Sequence, residues 1–298
     1  MNPQKIAIMG AGAVGCYYGA MLGMAGASVC LIGRPALTEA VRAEGLLLEK
    51  AGQMTRIAVE ASSAPSAVAD AGLVLFCVKS PDTEAAGAAI APYLTEGATV
   101  LSLQNGVSNA GRLAAVIGRP VIPAVVYVAA QMSGPGHVTH RGRGELILGE
   151  HPASAAIAAR LCAAGIPTEV SASAESALWS KLVINCTLNA VSALTGQPYG
   201  PIIAMPGAEE LMRGIVAECS AVAAAAGVTL PPDLLAQAMI IARTMPGQIS
   251  STAQDMQRGK PTEIAYLNGE IVRLATAYGI PVPLNNALTL MVQLAETR

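Results

Sequence analysis

The chain has 298 residues, a formal net charge of −2, a hydrophobic fraction of 53% and a charged fraction of 13%. Single hydrophobic cores stop growing at about 250–300 residues, so two domains are expected. The near-neutral balance, with no Lys/Arg-rich run, argues against a partner held by nucleic-acid phosphates or an anionic membrane and leaves a small molecule as the expected partner.

In chain order, the first feature is a stretch from Ile6 to Gly33 without a charged residue. Repeated glycines interrupt it, its apolar residues fall in two short runs, and it lacks a polar region with a cleavage site. Neither a spanning helix nor a secretory signal is therefore expected. Its elements read instead as a strand, "KIAIMG", a helix, and a second strand, "ASVCLIG". Between the first two, Gly10, Gly12 and Gly15 form G-x-G-x-x-G. The first glycine suits a tight turn, the second lets backbone approach a pyrophosphate, and the third lets the helix pack on the strand. The helix N-terminus adds unpaired N–H groups and a positive dipole. The segment Gly10, Ala11, Gly12, Ala13, Val14 and Gly15 is accordingly the expected dinucleotide cradle.

The end of the second strand selects the dinucleotide. An NAD site places a carboxylate there for the ribose 2′-hydroxyl, whereas this strand ends in Gly33-Arg34. A guanidinium at Arg34 would fork onto a 2′-phosphate, so NADP (NADPH) is the expected cofactor. The bland alternative is a solvated loop cation.

Further on, "GLLLEKAGQMTRIAVEA" reads as an inserted β-hairpin, "GLVLFCVK" and "ATVLSLQNG" as further strands, and "GHVTHRGRGELILGE" as a second hairpin. His137 and His140 in that last segment have no acidic or cysteine partner nearby in sequence, so no metal site is expected. The alternation of strands and helices predicts a parallel sheet flanked by helices over residues 1–172, a Rossmann-like α/β domain. Over 173–298 the strand signals vanish, and helices are predicted at 173–194, 206–226, 231–244, 260–279 and 284–296. Six scattered cysteines with no C-x-x-C pair fit a reduced, cytoplasmic setting. The alanine-rich helical half offers small-residue faces on which two copies could pair as a homodimer.

Within the first of those helices, "LWSKLVINCTLNAVSALTG" sets Lys181, Asn185 and Asn189 at successive i+4 spacing, one ammonium and two amides on one face. A lysine on an apolar stripe asks for a partner, and this face offers a proton donor and two orientable hydrogen-bonding groups to a small oxygenated ligand. On this stretch alone a snorkelling lysine with solvent-facing asparagines reads equally well. Glu263 in "KPTEIAYLNG" is either a first-turn complement to a helix dipole or a counter-charge for Lys181.

Taken together, "KIAIMGAGAVG", "CVKS", "LQNGV", "WSKLVINCTLNAVSALTG" and "SSTAQDMQRGKPTEIAYLNGEIV" resemble the ketopantoate reductase family, in this order from Ile6 to about Pro283. The resemblance implies an NADP-dependent oxidoreductase acting on a CH–OH group. It would reduce 2-dehydropantoate to D-pantoate on the way to pantothenate and coenzyme A. It further implies that Lys181 is the general acid toward the ketone oxygen and that Glu263 positions substrate and lysine. Asn105 would lie between nicotinamide and substrate, Lys79 on the cofactor side, and Ser251 at the substrate carboxylate. Asn185 and Asn189 would contact substrate oxygens. The site is then expected in a cleft between the halves, with Lys79 and Asn105 from the first and Lys181, Ser251 and Glu263 from the second.

Two positions depart from the family's pattern, Tyr199 and Gln248, where asparagines are expected. Both fall where the distal hydroxyl of the substrate would be read, and a site that bonds a hydroxyl discriminates strongly against analogues lacking it. Three readings follow: a ketopantoate reductase, a related reductase of another branched or aromatic 2-oxo acid, or a non-enzymatic NADP(H)-binding protein.

Overall fold

The computed structural model describes residues 5–297. The described residues form two units, 5–104 with Ser108–Ala174, and Asn105–Val107 with 175–297. The short segment Asn105–Val107, expected in the first half, thus groups with the second.

The first unit holds ten strands: β1 (Lys5–Met9), β2 (Val29–Ile32), β3 (Leu46–Lys50), β4 (Gln53–Ile57), β5 (Glu60–Ser62), β6 (Ala71–Phe76), β7 (Thr99–Ser102), β8 (Val121–Gly134), β9 (His137–Leu148) and β10 (Thr168–Val170). They join in the order β4-β3-β9-β8-β7-β6-β1-β2-β5, with β10 on β9. From β5 to β8 every pairing is parallel. Numbered along the chain, those six strands lie in the 3-2-1-4-5-6 order of a dinucleotide-binding sheet, with the order reversing between β1 and β6.

Central parallel strands are covered on both faces, which is why β2 and β6 are buried at every residue. Alternate residues divide between two cores. Ile6, Ile8, Leu31, Leu73, Leu75 and Leu101 pack on one face with residues of α1 (Ala13–Met24). Ala7, Cys30, Val74, Phe76 and Val100 pack on the other, with Ala86 and Ile90 of α3 (Thr83–Ile90) and Leu113 of α4 (Asn109–Ile117). Two more helices, α2 (Pro35–Glu44) and α5 (Ser154–Ala163), complete the unit.

The first expected hairpin is present: β3 and β4 pair from Leu46↔Ile57 to Lys50↔Gln53, and Ala51 and Gly52 both take positive φ in the two-residue turn. The second is not. "GHVTHRGRGELILGE" is a single long strand, β9, and its antiparallel partner is β8. Positive φ at Gly142, Arg143 and Gly144 accommodates register shifts opposite Tyr127–Ala130, so these glycines mark bulges in a strand and not its turn.

The second unit is helical: α6 (Ala174–Thr195), α7 (Tyr199–Ala204), α8 (Ala208–Ala225), α9 (Leu234–Thr244), α10 (Ser251–Gln257), α11 (Asn268–Tyr278) and α12 (Pro283–Glu296). The helix α6 is long and apolar enough to span a membrane by length and composition alone, yet 61% of its most apolar window is buried in the fold. Its Leu182, Val183, Cys186 and Ala190 share a core with Ile215 and Cys219 of α8, Ile271 of α11 and Val292 of α12. Two short helices, α7 and α10, escaped the sequence reading. The helix expected over 260–279 is broken instead: Ile264–Tyr266 form one 3₁₀ turn, and Leu267, at φ −112° and ψ −103°, separates it from α11.

Candidate active site

In the first unit, the three glycines of the turn after β1 meet three different demands. Gly10 has φ +99°, and a Cβ there would lie 2.5 Å from the Val78 nitrogen, so both conformation and the adjacent end of β6 require glycine. A Cβ on Gly15 would sit 2.4 Å from the Gly10 carbonyl oxygen and 2.8 Å from Ile8, which is the close packing of α1 on β1. A Cβ on Gly12 would meet no protein atom within 4 Å, and Gly12 has ordinary extended backbone angles. Nothing in the protein forbids a side chain at Gly12, so the space over it suits an external group. Gly12 caps α1, whose first turn carries no acidic residue and whose N-terminus receives no side-chain cap. Exposed N–H groups, dipole and open backbone together fit the pyrophosphate of a dinucleotide.

Arg34 is held beside this turn. The amides of Gly10 and Ala11 both donate to the Ile32 carbonyl at the end of β2, each at 3.0 Å. A Cβ on Gly33 would lie 2.9 Å from that of Ala11, and the exposed Arg34 follows, at the N-cap of α2. Across the turn, the Cys77 amide donates to the Met9 carbonyl at 2.7 Å, and exposed Lys79 stands two residues beyond.

A buried polar network fixes the ends of β6 and β7. Gln104 donates from Nε2 to the Val78 carbonyl at 3.2 Å and to the Thr83 hydroxyl at 2.7 Å, and accepts from Ser102 at 3.0 Å. Asn109 donates to Ser80 at 2.9 Å, and Arg112 ties Asn109 to a bidentate contact with Glu84. That contact holds the Glu84 carboxyl below the usual carboxylate range. No local pattern marks these groups: the letters Ser-Pro-Asp and Gln-Asn-Gly signal loops, not that the two loops bond each other.

In the second unit, half-buried Lys181 donates from Nζ to Oδ1 of Asn105 at 2.8 Å. The pair explains why Asn105–Val107 groups with the helices: a lysine on an apolar helix has found a polar loop partner. Asn185 is half-buried one turn along α6, and Asn189 is buried a further turn on. The Asn189 side-chain carbonyl accepts from the Tyr199 hydroxyl at 3.4 Å, and its main-chain carbonyl accepts from Ser250 Oγ at 3.2 Å.

The two serines of "SST" differ in kind. Ser250 is 1% exposed, and its hydroxyl also accepts from the Ala253 amide at 3.0 Å, capping α10. Ser251, the candidate carboxylate ligand, is exposed at the first position of that helix.

Glu263 is 7% exposed and precedes the 3₁₀ turn. Its segment is tied to α6 through Asn268, which donates from Nδ2 to the Cys186 carbonyl at 3.1 Å and to Asn285 Oδ1 at 3.0 Å. Glu218 completes the chain, accepting from the Leu284 and Asn285 amides at 2.8 and 2.9 Å at the start of α12. Asn268 was visible only as part of a quoted motif, and Glu218 carried no signal at all. The Tyr199 and Gln248 departures adjoin one another, since the Tyr199 amide donates to the Gln248 carbonyl at 3.0 Å.

A sequence model described as ketopantoate reductase PanE/ApbA matches residues 6–153, and one described as its C terminal matches residues 173–296. A 2-dehydropantoate 2-reductase of Halobacterium salinarum is 34% identical over 98% of this chain and 99% of its own. The crystal structure of a PanE/ApbA family ketopantoate reductase from Ralstonia eutropha JMP134 is similar with a TM-score of 0.96 and 53% identity, covering 99% of both chains. D-mandelate dehydrogenase, solved with NADH and anilino(oxo)acetate, is similar with a TM-score of 0.92 and 26% identity over 99% of each chain.

Proposed function

The chain belongs to the ketopantoate reductase family, and on that footing we propose that it reduces 2-dehydropantoate to D-pantoate with NADPH. When bound, the reduced nicotinamide supplies a hydride to C2 of the 2-oxo acid. The residues of the chain do the rest: they hold the acid, orient its carbonyl and deliver a proton.

The observation that carries the reading is the 2.8 Å hydrogen bond between Lys181 Nζ and Asn105 Oδ1. It orients the ammonium nitrogen, and we assign one of the N–H groups on that nitrogen to the ketone oxygen. As the C2–O bond becomes single, that N–H proton passes to the oxygen, giving the hydroxyl of the product and a neutral amine that solvent reprotonates. Asn185 and Asn189 extend the same face with amides for the other oxygens of the substrate. Exposed Ser251 offers a hydroxyl to its carboxylate, and buried Glu263 positions substrate and ammonium. On the cofactor side, Gly10–Gly15 would hold the pyrophosphate, Arg34 the 2′-phosphate, and Lys79 and Asn105 the nicotinamide end.

A second reading, a 2-oxo acid with a different branched or aromatic side chain, shares this chemistry. It is favoured by the likeness to D-mandelate dehydrogenase. Steady-state NADPH oxidation against a panel of 2-oxo acids tests both. The highest kcat/KM is expected on 2-dehydropantoate. A higher value on benzoylformate or 2-oxoisovalerate would move the assignment to the second reading, and tight NADPH binding without turnover of any acid would overturn both.

A further inference from the structure

Asn189 is 3% exposed, and its side chain is engaged on one end only. Its oxygen accepts from Tyr199, whereas among the described residues its amide nitrogen has no hydrogen-bond partner. A primary amide presents two donors on nitrogen and two lone pairs on oxygen, and turning it over exchanges the two ends. Which end a ligand meets therefore depends on what holds the other.

Tyr199 is well placed to decide this. Its amide donates to the Gln248 carbonyl at 3.0 Å, and the next amide, Gly200, donates to the Pro246 carbonyl at 2.9 Å. Its ring belongs to an apolar cluster with Leu188, Met212, Ala238, Met239 and Ala242. Burial pushes the phenol up to about 12, so the hydroxyl stays protonated and able to donate. Backbone and ring are thus both fixed, and the hydroxyl is spent on the Asn189 oxygen.

We propose that Tyr199 is a specificity-determining positioning residue: by holding the Asn189 carbonyl it leaves the NH₂ group for the substrate, selecting 2-oxo acids whose side chain carries a hydrogen-bond acceptor such as a hydroxyl oxygen. The proposal rests on the reading above that Asn189 lines the substrate wall. An acid with a purely apolar side chain would cover the NH₂ without pairing it and is disfavoured.

The test compares 2-dehydropantoate with trimethylpyruvate, the same acid without its hydroxyl, in the unaltered protein and in Tyr199→Phe. The substitution removes one oxygen and keeps the ring in its cluster; an unchanged melting temperature and NADPH affinity establish that the fold is intact. KM for 2-dehydropantoate is expected to rise about three- to tenfold, the size of one hydrogen bond, with kcat nearly constant and trimethylpyruvate unaffected. Equal changes on both acids, or none, would overturn the proposal. Asn189→Ala separates the two levels of inference. If it erases the preference and Tyr199→Phe does not, only the role of Tyr199 falls; if it leaves the preference intact, the placement of Asn189 falls as well.

Discussion

Lys181 and Asn105, 76 residues apart, meet in a hydrogen bond of 2.8 Å between ammonium nitrogen and amide oxygen. Asn105 follows Gln104, which makes three side-chain hydrogen bonds. Lys181 thus has an amide partner from within its own unit. Asn105→Ala is expected to lower kcat about tenfold by removing one of the contacts that orient the ammonium, with little change in melting temperature. Steady-state kinetics alongside thermal unfolding checks it. Unchanged kcat would mean that the contact does not orient the lysine.

The glycine turn separates stability from binding. Gly15→Ala forces a Cβ to within 2.4 Å of the Gly10 carbonyl and 2.8 Å of Ile8, an overpacking that costs about 1–3 kcal/mol and is read as a fall in the denaturation midpoint. Gly12→Ala meets no protein atom, so the midpoint should hold while the Kd for NADPH rises at least about tenfold. Equal effects on both properties from both variants would contradict a cradle open at Gly12.

Arg34→Asp replaces a fork for a 2′-phosphate with a group that repels it and suits a 2′-hydroxyl. NADPH affinity should fall by about a hundredfold while NADH affinity falls little or rises. Titration of both cofactors by fluorescence decides it: parallel weakening would show that Arg34 does not read the phosphate.

How much of this was legible beforehand varies with the kind of information each residue carries. Gly10 and Gly15 are legible because their spacing encodes backbone demands local to one turn. The face of Lys181, Asn185 and Asn189 was readable because helical periodicity is also local. The bulges at Gly142 and Gly144 were misread as a hairpin because positive φ serves turns and bulges alike, and only the partner strand β8 distinguishes them. The break at Leu267 was missed because leucine is no breaker by type. It is accompanied by Asn268 reaching the Cys186 carbonyl 82 residues away, a contact no local pattern contains. Asn105 was assigned to the sheet half by its place after β7, whereas its side chain answers to α6.

Neighbouring serines should fail in different ways. Ser250→Ala removes a buried cap and a bond to the Asn189 carbonyl, costing about 1–2 kcal/mol of stability. Ser251→Ala touches an exposed hydroxyl and should leave stability alone while raising KM for the 2-oxo acid several-fold. Chemical denaturation and substrate titration on the two variants distinguish these outcomes. An unchanged KM in Ser251→Ala would remove that serine from the site.

Proton delivery by Lys181 is tested most directly by kcat of Lys181→Ala with 2-dehydropantoate, measured beside its Kd for NADPH. Loss of the acid should lower kcat by about 10²–10⁴-fold and leave cofactor affinity as it was. Retention of most of the wild-type kcat, with the cofactor still bound, would contradict the account.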